Sequence, residues 1–443
     1  MPEIPGFQSF TPTTTLVLAL VPLLYFIVRP ALLHLLTPKP LPGIPYRKGR
    51  QYPIIGDGLD AGKWLREQAT ITQWFDGCIQ AFMYGGDERG SQWGVLDGKR
   101  TAKEMISDFA ASDLKRNSGY EGICQMMFGF GHGARQVAVT DVDETHNILT
   151  KRTAEFERAE YPRFGPNLSQ DRSVGIHLIF AYDSAWERAV VRGDERAELA
   201  DCAIDQALLK DGTVDALSEP ELRDEVLLFL VAGQETIART LSWGMKMLSR
   251  APDVQKRLKK ELTEAGLLER EITYNDLLTE KVPYLEATTQ EILRLAGTAA
   301  GVSRIATRDT TVLGKHIPKG TTLYFPLALM AHLPVQDLAG DSRAGRTSEG
   351  KWKGDTLRKF VPERWLDGEG QFDGQVGVQS LPFSAGQRGC FGKALAVLEL
   401  KTMLAKINLA FFLESIPSEY DSDEFVEYIS RKPKVSYVRP VPW

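Results

Sequence analysis

The stretch PFSAGQRGCFGKAL, residues 382–395, sets Cys390 between two glycines with Arg388 two residues before it. A thiol at a loop-to-helix junction faces unpaired amide N–H groups and the positive end of the helix dipole. Both favour thiolate, the form that ligates metals and attacks carbon. The ordinary alternative is a small buried side chain, the usual fate of a free cysteine. Three other groups carry chemistry in their types and spacing. AGQET, residues 232–236, places a glycine, Glu235 and Thr236 inside one apolar segment. Glu291 and Arg294 stand at i and i+3, on one helix face. VPERW, residues 361–365, brings Arg364 after a Gly- and charge-rich loop. Taken singly, these read as a solvated ion pair or as helix packing with a back-bonded hydroxyl. A cysteine hydrolase is excluded for want of a base, since the last histidine, His332, lies in a stretch with no nucleophile signature.

The elements that must position these groups are clearest in the second half. Gly386 and Gly389 give turn freedom, and Ala394, Leu395, Val397, Leu398 and Leu400 begin an amphipathic run, so the cysteine loop is predicted to tighten into a helix. Residues 222–249 read as one long, largely apolar helix with Gly233 in its middle, buried on most sides. Residues 284–296 form another helix. DTTVLGKHIPKGTTLYFPLAL reads as short strands around a GKHIPKG turn. Upstream, ICQMMFGF and RQVAVTD look like a hairpin joined at His132, and ETHNILTKR like a helix. GFGHGA, residues 129–134, has the outline of a dinucleotide fingerprint, but its spacing is wrong and a strand follows it. Residues 51–130 otherwise show little period. Helices dominate, with small sheets between them.

The chain of 443 residues could hold one large core or two ordinary domains. Its formal net charge of −5 gives no footprint for nucleic acid. Cys78, Cys124, Cys202 and Cys390 are far apart, which argues against a disulfide framework or a structural zinc site. LVLALVPLLYFIV, residues 16–28, extended by RPALLHLL, approaches the roughly 20 apolar residues of a membrane span. Glu3 ahead of it and the lack of an A-x-A-like site disfavour a cleaved signal. Lys39, Arg47, Lys48 and Arg50 follow it, so the positive-inside rule puts the body in the cytosol. Residues 1–37 are thus expected to be a membrane anchor, 38–50 a stiff Pro-rich hinge, and 51–443 the catalytic body.

The four groups, in this order and with Phe383-x-x-Gly386-x-Arg388-x-Cys390-x-Gly392 complete, resemble the cytochrome P-450 family of haem-thiolate monooxygenases, firmly from residue 222 onward. The resemblance implies a mainly α fold with small β-sheets and haem b as cofactor. It implies Cys390 as the axial ligand of the iron, the family's known attachment. Phe383 then packs beside the sulfur in the loop turned by Gly386, Arg388 pairs with a haem propionate, and Arg304 in GVSRIATRDT is its second partner. Glu291, Arg294 and Arg364 become a structural network behind the haem, and Glu235 with Thr236 the distal acid–alcohol pair. Ile237 stands where the family usually carries a second hydroxyl. Residues 162–219 are too few for the helices expected there, WERAVVR being a poor Trp–Arg candidate, so residues 51–200 are read as atypical or incomplete.

The implied function is insertion of one atom of O2 into an apolar small molecule, in fungal secondary metabolism, at the endoplasmic reticulum membrane. Electrons would come from an NADPH-cytochrome reductase, because the chain shows no flavin or nicotinamide site. Lys393 and Lys401 after Cys390 could meet an acidic partner, or are simply solvated helix positions. Two other readings stand beside this one. A truncated relative would bind haem without turnover. A reductase-independent isomerase of the same fold tends to lose the acid–alcohol pair that is present here.

Overall fold

The computed structural model describes residues 41–44, 122–127, 135–158, 220–332, 354–374, 380–427 and 430–443. The anchor run, the His132 turn, WERAVVR, Cys78 and Cys202 lie outside them. Two compact units divide the chain. Met1–Thr145, Arg152–Ala159 and Ser303–Phe325 form one; His146–Lys151, Glu160–Val302 and Pro326–Trp443 form the other.

The first unit is built on a five-stranded sheet. Strands β1 (Ile123–Met127) and β2 (Arg135–Val139) pair antiparallel, with Ile123 opposite Val139. Helix α1, Val142–Thr150, follows, its first turn capped by Asp141 Oδ1 accepting from Glu144 N at 2.8 Å. It stops two residues short of ETHNILTKR. Arg152 leaves the helix because its guanidinium is taken by Glu144, Glu155 and Thr310 at 2.6, 2.8 and 2.8 Å. That cation holds the Glu155 carboxyl down at about 2. Then come β3 (Phe156–Arg158), β4 (Val302–Ala306), β5 (Thr310–Val312), β6 (Lys315–Ile317) and β7 (Thr322–Phe325). The sheet order is β1-β2-β7-β4-β3, with β2 and β7 parallel. GKHIPKG is not one turn. Leu313 and Gly314 take positive φ of 48° and 71°, and Gly320 takes 80°, which leaves Lys315–Ile317 extended between two tight turns, paired with β5. Residues 41–44 contribute too: Gln125 accepts from Leu41 N and donates to the carbonyls of Leu41 and Ile44 at 2.8–2.9 Å, so both apolar residues are buried on the sheet.

The second unit is helical. Helix α2 runs without a break over Pro220–Ser249, α3 over Pro252–Glu264, α4 over Pro283–Ala296 and α5 over Lys393–Ala410. Each of the first three begins at proline, whose missing N–H costs nothing in a first turn. Leu248, Leu258, Leu285, Ile292, Trp365 and Leu404 meet in their shared core. A Cβ on Gly244 would stand 3.0 Å from Ile292 Cδ1, so glycine there sets how closely α2 and α4 pack. Glu261 of α3 caps α4 from outside, accepting from Tyr284 N and Leu285 N at 2.8 and 2.9 Å. Gly297 at φ 51° ends α4. The strands β8 (Phe411–Glu414) and β11 (Arg439–Pro442) pair antiparallel, as do β9 (Phe425–Glu427) and β10 (Arg431–Pro433). Among the described residues no helix is long and apolar enough to cross a membrane.

Candidate active site

The cysteine loop is closed on itself before α5 begins. Cys390 N donates to Phe383 O at 2.8 Å and Gly389 N to Gly386 O at 3.0 Å. Two residues take left-handed backbone, Ser384 at φ 59° and Gly386 at 73°. A Cβ on Gly386 would lie 2.0 Å from the carbonyl oxygen of Leu149, so no other residue fits that bend. Phe383 joins Ile237, Leu293 and Leu400 in a small apolar cluster under the loop. The next ring along, Phe391, meets Phe229 of α2 with centroids 6.2 Å apart.

Cys390 is free and exposed at the start of α5. The expected pull toward thiolate is present but outweighed by burial. Burial of the sulfur pushes its pKa up, and the Gly392 N–H and the Lys393 charge pull it down by less. A single free cysteine, exposed as a residue, with its sulfur receiving one backbone N–H four residues after a bend only glycine can make, fits a prosthetic group held by one protein ligand. Among the described residues no three His, Cys, Asp or Glu gather as they would around a metal held by side chains alone. A bound cation would bring the charge that deprotonates a coordinating thiol outright.

On α4, Glu291 is fully buried and saturated. It accepts from Arg294 Nε and Nη2 at 2.8 Å each, from Arg364 Nε and Val361 N at 3.0 Å, and from Trp365 Nε1 at 2.9 Å. Burial pushes its carboxyl up, but the two guanidiniums outweigh that and hold it below the carboxylate range. Arg294 Nη1 also donates to the carbonyls of Ala331 and Leu357 at 2.8 and 2.7 Å, and Arg364 Nη2 to that of Thr356 at 2.6 Å. The three predicted residues therefore form one buried cluster, and Trp365, quoted in the motif without a role, belongs to it. His332 also belongs there. It is hydrogen-bonded to the Leu357 carbonyl, and its Nδ1 finds no partner. Burial, with Arg294, Arg358 and Arg431 around it, pushes the imidazole down to about 3.

Glu235 and Thr236 are adjacent on α2 but engaged separately. Thr236 Oγ1 donates to Ala232 O at 2.8 Å. Glu235 pairs with Arg239, one turn on, and Arg239 also donates to the carbonyl of Ser430. A turn further, Thr240 Oγ1 lies 2.7 Å from Thr298 Oγ1. Arg239 was missed although an i,i+4 Glu–Arg pair was there to be read. Lys401 does not face a partner: it is buried and donates to Glu286 at 2.7 Å, whereas Lys393 is exposed. Arg388 lies in the 3-10 turn Gly386–Arg388, in the second unit. Arg304, in β4 of the first unit, is buried and donates to Ser303 O at 2.9 Å.

The family model described as Cytochrome P450 matches residues 181–335 and 358–438, more than half of the chain. The chain belongs to the cytochrome P450 family. The match begins upstream of residue 222, where the motif resemblance becomes firm. Haem b is the family's cofactor. Similar proteins include the cytochrome P450 monooxygenase GME11363 of Pestalotiopsis microspora, 31% identical over 67% of this chain and 51% of the relative. TRI13 of Fusarium sporotrichioides, another cytochrome P450 monooxygenase, is 32% identical over 56% and 47%. The xilC monooxygenase of Penicillium crustosum is 36% identical over 49% and 39%. The chain spans about half the length of the curated relatives it matches.

Proposed function

We propose that this cytochrome P450 is a haem-thiolate monooxygenase acting on an apolar small molecule of fungal secondary metabolism, with O2 as co-substrate and electrons from an NADPH-cytochrome reductase. The observation that carries the reading is Cys390: a free cysteine in a glycine-shaped loop at the head of α5. Haem bound there supplies the oxygen chemistry, and a thiolate is the strongly donating ligand that favours O–O cleavage. The chain's own residues do the rest. Cys390 holds the group; the Gly392 N–H tempers the basicity of the sulfur. Phe383 packs the loop against the helices and keeps water from its underside. Arg388 and Arg304 carry planar guanidiniums suited to propionates. Glu291, Arg294 and Arg364 keep the loop's foundation from shifting. Glu235 and Thr236 hold protons on α2, at the carboxylate and at Oγ1.

The chain is assigned to the endoplasmic reticulum membrane, with residues 1–37 as anchor, 38–50 as hinge and 51–443 as a cytosolic body. The apolar run at residues 16–28 and the cationic residues after it support this. A second reading, haem binding without turnover, is supported by the short run of residues 162–219, too few for the helices the family places there. The test is a carbon monoxide difference spectrum of the reduced, hemin-supplemented chain beside Cys390→Ser. A strongly red-shifted Soret band, lost in the variant, is expected. An unshifted band in both would overturn thiolate ligation. A shifted band without product, given reductase and a panel of apolar substrates, would favour the second reading.

A further inference from the structure

We propose that Arg239 is a positioning residue for Glu235, a role that rests on reading Glu235 as the proton-handling acid. The motif AGQET ends before Arg239, yet the structure ties the two side chains together. The Glu235 carboxylate and the Arg239 guanidinium form an i,i+4 pair, with side chains 26% and 13% exposed. The same guanidinium donates to the Ser430 carbonyl, beside the start of β10. Ser430 is itself buried.

A carboxylate about a quarter exposed keeps one orientation only where a fixed partner holds it, and otherwise turns toward water. Thr236 does not hold it, because that hydroxyl is spent on Ala232 O. Neither does the backbone, since α2 continues unbroken past both residues. Arg239 is therefore what keeps an acid next to Thr236 on a half-buried helix face. The planar fork suits the task, reaching a carboxylate on its own helix and a carbonyl on another segment at once. Without it, Glu235 turns out to solvent and leaves Thr236 without an acid neighbour. The bond to Ser430 adds a second consequence: the guanidinium cannot swing away from Glu235 without also releasing that turn.

The experiment uses the full, hemin-supplemented chain as wild type, Glu235→Gln, Arg239→Gln, Arg239→Lys and the Glu235→Gln/Arg239→Gln double variant. Urea midpoints give the coupling between the two residues. The share of electrons leaving as hydrogen peroxide rather than water, supplied by a photoreduced flavin without substrate and corrected for the peroxide the flavin makes with O2 in a hemin-free control, reports proton delivery. The double variant is expected to unfold at nearly the same midpoint as Arg239→Gln. The peroxide share is expected to rise equally in Glu235→Gln, Arg239→Gln and the double variant, and Arg239→Lys to restore most of it. Additive midpoints, or a raised share in Glu235→Gln with an unchanged one in Arg239→Gln, would overturn the role of Arg239 alone. An unchanged share in Glu235→Gln overturns the reading of Glu235, and the proposal falls with it.

Discussion

Acid should loosen this protein earlier than its carboxylates can explain, and His332 is the reason. Its imidazole is pushed down to about 3 by burial and by Arg294, Arg358 and Arg431. In the unfolded chain it would titrate near about 6.5. Above that pH both states hold it neutral and it contributes nothing to the pH dependence. Below it the unfolded chain takes up a proton that the folded one refuses, so stability falls from about pH 6.5 down to about pH 3. The slope is about 1.4 kcal/mol per pH unit, or about 2 kcal/mol between pH 6.5 and pH 5. The lowered carboxylates, Glu155 and Asp421 at about 2 each, lose their contribution only below the ordinary carboxylate range. Glu261, raised by burial, works in the opposite sense, because its folded form holds a proton longer. Comparison with His332→Gln cancels both. Glutamine keeps an N–H for the Leu357 carbonyl and removes the titration. Urea unfolding followed by tryptophan fluorescence should show the wild type losing about 2 kcal/mol more than the variant over that interval. Parallel curves would refute the argument and mean that His332 accepts its proton without unfolding.

Glu291→Gln strips the anion from between two buried guanidiniums. It should cost about 3–5 kcal/mol, read as a lowered urea midpoint. Gly386→Ala forces a Cβ to 2.0 Å from Leu149 O on left-handed backbone. The backbone costs about 1–2 kcal/mol and the overpacking about 1–3 kcal/mol, and hemin titration should show binding lost with the loop. Thr240→Val breaks the hydroxyl pair with Thr298 and should cost about 1 kcal/mol in urea. Adding Thr298→Val should then cost little more, since the orphaned partner is gone.

What could be read from the chain beforehand was local. The cysteine loop announced itself because glycine spacing is a backbone requirement, and Gly386 proves to be a position where no side chain fits. Helix α2 was legible because an apolar run of that length has few other uses, and the pair Glu291–Arg294 because three residues on a helix make neighbours. What stayed hidden depended on partners distant in sequence. Lys401 looks solvated until Glu286, 115 residues earlier, is placed beside it. His332 carries no motif; its character comes from burial first and then from three arginines on other segments. The extended Lys315–Ile317 was misread because both flanking glycines were assigned to one turn instead of two. Arg239 is the exception, a local i,i+4 partner of Glu235 that lies just beyond the AGQET motif.

The Glu291 cluster also says something about time. Its bonds join residues 37, 63, 73 and 74 positions apart, from Arg294–Ala331 to Glu291–Trp365. Such contacts form only after several loops have closed, so they come late in folding and are the first obstacle to leaving the native state. Weakening them should quicken unfolding while refolding keeps its pace. The Glu291 cluster would then set how long the helical core survives once made, and less how fast it is made.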